Sequence, residues 1–289
     1  MIERFRNGLR LVQASWNVLK ADRELLVLPI LSFLSSAALL AVVFFGLFAD
    51  DLSLIRDNAP LPAPTAFEWI VLGLATSALS YITIFFNVAL VCAADDRMTG
   101  GDPTVASALS DARRHAAAIA PWALISVIVS FLLRAIEERA GILGRIVAGL
   151  LGLAWALITY LILPVLVLED LTVREAITRS KDLFVRTWGE TVSGEIGMSV
   201  VTFCAVLLAL PPLLLIGGGG QPAFVGLAVA LGVAWIIVVA VVMGALNVVF
   251  RVALYRYAAD GEAPEGFEDL DLGNVFPPKR RRGLFGRTA

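Results

Sequence analysis

Six long apolar runs divide the chain, over residues 25–49, 69–94, 116–133, 142–168, 196–216 and 223–250. The hydrocarbon core of a bilayer takes about 20 apolar residues of helix to cross, and each run is near or above that length. None alternates apolar with polar residues, as a barrel strand does, and all are too long for one. The pattern predicts an all-α fold, a polytopic membrane helical bundle of six transmembrane helices. The first run follows 24 residues rich in charge and lacks a small-residue cleavage site. It is therefore expected to stay in the protein as a span rather than act as a signal peptide.

A short stretch with helical periodicity precedes each odd-numbered run. In the first, Phe5, Leu9, Val12, Trp16 and Leu19 share one face, with Arg4, Arg6, Arg10, Gln13 and Lys20 on the other. The second opens at Asp102-Pro103, read as a cap followed by proline at the first helical position. It continues through Val105, Leu109 and Ala112 to Arg113 and Arg114. The third opens on Thr172-Val173-Arg174-Glu175, the spacing of a capping box. Its apolar face is Val173, Ile177, Phe184 and Trp188.

The predicted unit is an amphipathic helix, a span, an outer loop and a second span, occurring three times. Leu11-Val12-x-x-Ser15 lines up with Ala176-Ile177-x-x-Ser180. Val88-Ala89-Leu90 and Ala93-Ala94-Asp95 echo Val252-Ala253-Leu254 and Ala258-Ala259-Asp260. Duplication alone produces such repeats, and transporters also use them, with sites at the repeat interfaces. Residues 1–259 form the predicted membrane domain. Residues 260–289 form a flexible tail, acidic and then basic.

Composition agrees with a membrane protein. Hydrophobic residues make up 58% and charged residues 17%, against about 25% charged in a soluble domain. That excludes intrinsic disorder, which needs few apolar residues and much charge. The net charge of −2 conceals segregation along the chain. With both termini inside, 19 Lys and Arg fall on the cytoplasmic side and four on the other. The positive-inside rule then predicts a multi-pass protein of the plasma or inner membrane with both termini cytoplasmic.

Candidate chemistry is sparse. Tyr81, Thr83 and Asn87 in the second span and Asn247 in the sixth are polar at membrane depth. They either line a polar cavity beside the second span or act as packing glue between helices. The second span also carries Thr76, Ser77 and Ser80. Arg113 and Arg114, with Lys279, Arg280, Arg281 and Arg282 in the tail, are candidate contacts to anionic lipid headgroups; otherwise they form a solvated face. The basic run is short and no reading module accompanies it, so nucleic acid is not an expected partner.

His115 is the one histidine, and Cys92 and Cys204 lie inside apolar runs. Neither a metal spacing nor a nucleophile or phosphate-loop motif is present in the sequence. No catalytic residue, cofactor or metal is predicted. Asp95-Asp96, Asp102 and Glu169-Asp170 invite comparison with enzymes that bind a diphosphate headgroup. Asp95-Asp96-Arg97-Met98-Thr99-Gly100 does not match the D-G-x-x-A-R of CDP-alcohol phosphotransferases. Capping of helix ends is the alternative reading. Gly144, Ala148, Gly152 and Ala156 form a small-residue stripe for packing within the bundle or for a homodimer seam. Pro164 should bend the fourth span about one turn before its inner end.

Ala14-Ser15-Trp16, Leu19 to Leu26 and Leu28-Pro29 resemble the opening of an uncharacterised bacterial and archaeal six-span membrane family, a domain of unknown function. Leu132 to Arg139, Arg186 to Glu190, Ala253 to Ala258 and Pro264 to Phe267 are similar too. More distantly, the chain resembles the membrane portion of glycerophosphodiester phosphodiesterase-type proteins, without their catalytic domain. The resemblance implies the fold and carries no reaction, ligand or catalytic residue.

The expected function is a non-enzymatic scaffold or accessory subunit that organises membrane lipid, a partner protein or further copies of itself. The alternatives are a small-molecule transporter or lipid-handling protein with a polar cavity beside the second span, or a lipid-headgroup enzyme acting through Asp95, Asp96, Asp102 and Glu169.

Overall fold

The computed structural model describes residues 2–22, 24–49, 63–139, 141–186, 188–208, 222–261 and 264–267. Among the described residues the fold is all-helical, with no strand. The elements are α1 (Ile2–Ala21), α2 (Glu24–Phe48), α3 (Ala66–Met98), α4 (Val105–Arg114) and α5 (Ala116–Arg139). They continue as α6 (Gly141–Ile158), α7 (Ile162–Leu168), α8 (Val173–Arg186), α9 (Trp188–Leu207) and α10 (Pro222–Asp260).

Five helical segments are long and apolar enough to cross a membrane: Glu24–Phe48, Ala66–Met98, Ala116–Arg139, Gly141–Leu168 and Val225–Asp260. Gly197–Leu207, within α9, is a shorter apolar helix. The remainder of the fifth expected span, residues 209–216, lies outside the described residues, as do Lys279, Arg280, Arg281 and Arg282. Three helices outrun their apolar stretches: α3 continues to Met98, α5 to Arg139 and α10 to Asp260. Hydropathy marks where hydrocarbon ends, whereas the backbone hydrogen bonds of a helix continue into polar sequence.

Local chemistry sets the helix ends. Thr65 and Glu68 form a reciprocal capping box at the start of α3. At its other end the Gly100 amide donates to Arg97 O (3.3 Å) and the Gly101 amide to Asp96 O (2.9 Å). This is a Schellman closure, and Gly100 takes the left-handed φ of 87° that it requires. A Cβ at Gly101 would collide with the Asp96 side chain. The next helix starts two residues later than Asp102-Pro103 suggests. Thr104 is its N-cap, because its side chain and that of Ser107 cap one another. At α8 the Glu175 carboxylate accepts from both the Thr172 amide (3.1 Å) and hydroxyl (2.6 Å). The hydroxyl bond, with the amide bond behind it, holds the Glu175 carboxyl below the usual range.

The core gathers at one end of the bundle. Val88 to Val91 of α3, Leu161 to Val167 around α7 and Ala245 to Tyr255 of α10 contribute its most deeply buried side chains. Three helices cover this end: α1 packs on α9 and α10, α4 on α2 and α3, and α8 on α6 and α7. Leu11 and Ser15 of α1, Ala108 and Ala112 of α4, and Ala176 and Ser180 of α8 are all buried. Each pair is four residues apart, one helical face. Beyond α10, Phe267 returns to the same end and is fully buried against the core.

The fourth expected span is broken between α6 and α7. Pro164 has no amide proton for Tyr160 O, and its ring crowds that carbonyl. The helix opens over residues 159–161, one turn before the proline. The Leu161 amide donates instead to the buried Ser180 Oγ of α8, at 3.1 Å. The small-residue stripe of α6 serves packing within the bundle: Gly144 and Ala148 are buried, and Gly152 lies against Leu133 of α5. Trp122 and Trp155 stack across the same pair of helices, 5.8 Å between centroids.

Candidate functional site

Ion pairs tie the helix ends where the core lies. Arg256 of α10 grips Asp95 of α3 with two parallel bonds, Nε to Oδ1 at 2.6 Å and Nη2 to Oδ2 at 2.7 Å. Its Nη1 reaches Asp260 at 3.4 Å. Glu169, just after α7, accepts from Arg179 Nε at 3.0 Å and from the Tyr255 hydroxyl at 3.2 Å. His115 joins α4 to the segment after α7: Nδ1 meets Asp111 O at 2.8 Å and Nε2 meets Asp170 Oδ1 at 3.0 Å. The Val105 amide donates to Glu24 Oε2 of α2 at 2.7 Å. Of the carboxylates considered for headgroup chemistry, Asp95 and Glu169 are therefore engaged, while Asp96 and Asp102 are exposed.

Asp22, between α1 and α2, belongs to the same end. Its Oδ1 accepts from the Glu24 amide at 2.9 Å, and its Oδ2 is buried without a partner. Burial pushes its carboxyl above the ordinary range, and the nearby charges of Glu24 and Asp102 add to that. The Glu24 amide and the positive charge of Arg97 pull the other way.

Arg251 was not legible as an interior charge, because the apolar run ends at Phe250. α10 carries straight on, so Arg251 sits between the buried Phe250 and Val252. Its guanidinium lies over the Tyr160 ring, 4.6 Å from the centroid, and its Nε is buried without a hydrogen-bond acceptor. Asn247, one turn earlier, likewise has a buried, unpartnered Oδ1.

A cavity with a mostly apolar lining lies beside the second span. It occupies about 320 Å³ between α3 and α5, lined by Thr76, Ser80, Ser126, Val127, Ser130, Phe131 and Arg134. Tyr81, Thr83 and Asn87 do not line it. Tyr81 stacks on Phe85, 6.2 Å between centroids. The Thr83 hydroxyl turns back to Leu79 O at 2.9 Å on an exposed face, and Asn87 is half-buried. Asn247 belongs to α10, beside Arg251, and does not line this cavity either. A second cavity of about 580 Å³ shares Ser130 and Arg134 with the first and adds Leu133, Glu137, Glu138, Gly141 and Arg145. An apolar groove of about 420 Å³ lies between α1, α9 and α10, lined by Val12, Trp16, Ala205, Trp235 and Met243 among others. Arg113 and Arg114 are exposed on α4.

Long apolar helices whose ends pack into one core tied by ion pairs define an all-helical membrane protein. Residues 67–266 match the model of DUF6159, a family of unknown function, and the chain belongs to it. No curated protein matches the chain. No solved structure matches it.

Proposed function

We propose that the chain is a non-enzymatic membrane scaffold or accessory subunit that organises lipid or a partner, including further copies of itself. The observation that carries this reading is the set of ion pairs at the core end. Asp95–Arg256 and Glu169–Arg179 join α3, α8, α10 and the end of α7, and they engage two of the four carboxylates that headgroup chemistry would use. A bidentate guanidinium–carboxylate pair fixes geometry as well as charge.

In this reading the bundle has six spans in three units, with both termini cytoplasmic in the plasma or inner membrane. The packing supports the units: α4 covers the two spans that come before it, α8 covers both halves of the fourth span with a smaller contact to the third, and α1 packs on the last two. Arg113, Arg114 and the basic tail Lys279 to Arg282 then face the inner leaflet, where anionic headgroups attract cations. The cavity beside α3 supports a second reading, movement of a lipid or small molecule along α3 and α5.

Native mass spectrometry on the full chain, ejected directly from its own membranes, tests the proposal. A scaffold is recovered with a stoichiometric lipid, a different protein or a second copy. A bare single chain, with neither lipid nor partner, overturns it.

A further inference from the structure

The two cavities between α3, α5 and α6 share Ser130 and Arg134, and the cleft they make is mostly apolar along α3 and polar beside Arg145. Along its wall stand exposed or half-buried hydroxyls whose protons are already committed. Thr76 donates to Leu72 O at 2.8 Å, Ser126 to Trp122 O at 2.9 Å and Ser130 to Ser126 O at 2.8 Å. Each hydroxyl therefore offers its oxygen to the cleft as an acceptor. The mouth carries both signs of charge: Arg134 and Arg145 beside Glu137 and Glu138. Arg134 spends only its Nε, on Glu138 Oε1 at 3.1 Å. Gly141 opens α6 at the same place, and the first turn of that helix holds no acidic residue. The partial positive charge of a helix N-terminus therefore adds to the two guanidiniums. Val127 and Phe131 give the cleft an apolar flank.

An anion alone meets the two glutamates, and a cation alone meets the two arginines. A ligand carrying a phosphate and a hydrogen-bond-donating ammonium satisfies both sets. We propose that this cleft holds the headgroup of a zwitterionic phospholipid with a primary ammonium. The phosphate sits by Arg134 and Arg145, the ammonium by the carboxylates and hydroxyl oxygens, and an acyl chain against Val127 and Phe131. The inference rests on the lipid-organising reading above and deepens it by naming the lipid class.

The discriminating feature is the ammonium. A primary ammonium donates three hydrogen bonds and a trimethylammonium donates none, so phosphatidylethanolamine should be retained over phosphatidylcholine. The test titrates the purified full chain with each lipid in native mass spectrometry. The expected result is one phosphatidylethanolamine per chain, held about tenfold more tightly than phosphatidylcholine, the worth of one charge-assisted hydrogen bond. The double variant Arg134→Gln, Arg145→Gln should weaken both lipids. Glu137→Gln with Glu138→Gln should erase the preference while phosphate-dependent retention persists, which separates site chemistry from loss of fold. Equal retention of the two lipids by the unaltered chain overturns the proposal. So does displacement by free phosphoethanolamine, which would make the ligand a soluble molecule. A chain that keeps a protein partner or another lipid, but shows no such preference, sinks this site and leaves the scaffold reading standing.

Discussion

Ser15 and Ser180 are both fully buried, on corresponding faces of α1 and α8, yet removing their hydroxyls should have unequal effects. Ser180 Oγ is the acceptor for the Leu161 amide, which the break before Pro164 releases from its own helix. Ser180→Ala leaves that amide buried and unpaired, a desolvation cost of about 1–3 kcal/mol. Ser15 Oγ donates to Leu11 O at 3.0 Å, a carbonyl one turn back in the same helix. Its loss strands no backbone donor, so Ser15→Ala should change stability by about 0.5 kcal/mol or less. The difference, about 0.5–3 kcal/mol, corresponds to one to several degrees in midpoint for a chain of this size. Thermal unfolding in mild detergent, followed by loss of helical circular dichroism, reads both variants against the unaltered chain. Hydrogen exchange at residues 159–162 should quicken in Ser180→Ala alone. Equal midpoints, or unchanged exchange at the break, would refute the account of how the broken span is held.

Asp22→Asn keeps an acceptor for the Glu24 amide and removes a carboxylate whose ionisation burial opposes. Because the folded state raises this carboxyl, its stability contribution is fully present below the ordinary carboxylate range and is lost as pH rises through the raised value. The variant should therefore melt higher than the parent near neutral pH, with the gain fading towards about pH 4; a gain that grows on acidification would reverse the sign. A double-mutant cycle on Asp95→Asn and Arg256→Gln should return about 1 kcal/mol of coupling, since both side chains are partly solvated; no coupling would mean the pair fastens nothing. Gly100→Ala places a side chain at a left-handed φ and should cost about 1 kcal/mol, measured by the same thermal unfolding, whereas a neutral outcome would deny the helix closure its role.

Much of the architecture was legible because membrane helices announce themselves by long apolar runs. The capping boxes were less so: Thr172 and Glu175 fit the usual pattern, whereas Thr104 caps with Ser107, which sequence rules do not single out. Arg251 was missed because hydropathy marks where an apolar run stops, not where a helix stops. The cleft shows a different limit. Polar residues occur around much of α3, and only the packing of α5 decides that Thr76 and Ser80, rather than Tyr81, Thr83 and Asn87, face the cavity. A signal was available on the other side. Ser126, Ser130 and Arg134 recur every four residues along α5, one polar stripe along a helix that is otherwise apolar up to Ile136.

The most direct test of the scaffold reading is whether the core end moves. Spin labels at Thr99, Arg174 and Ala259, exposed positions on or beside α3, α8 and α10, report the distances between the tied ends by pulsed electron resonance in liposomes. Cys92 and Cys204 are first replaced by alanine. A scaffold gives one narrow distribution for each pair, and Asp95→Asn with Glu169→Gln broadens it. Two interconverting distances in the otherwise unaltered chain would contradict the static account and shift the weight to transport.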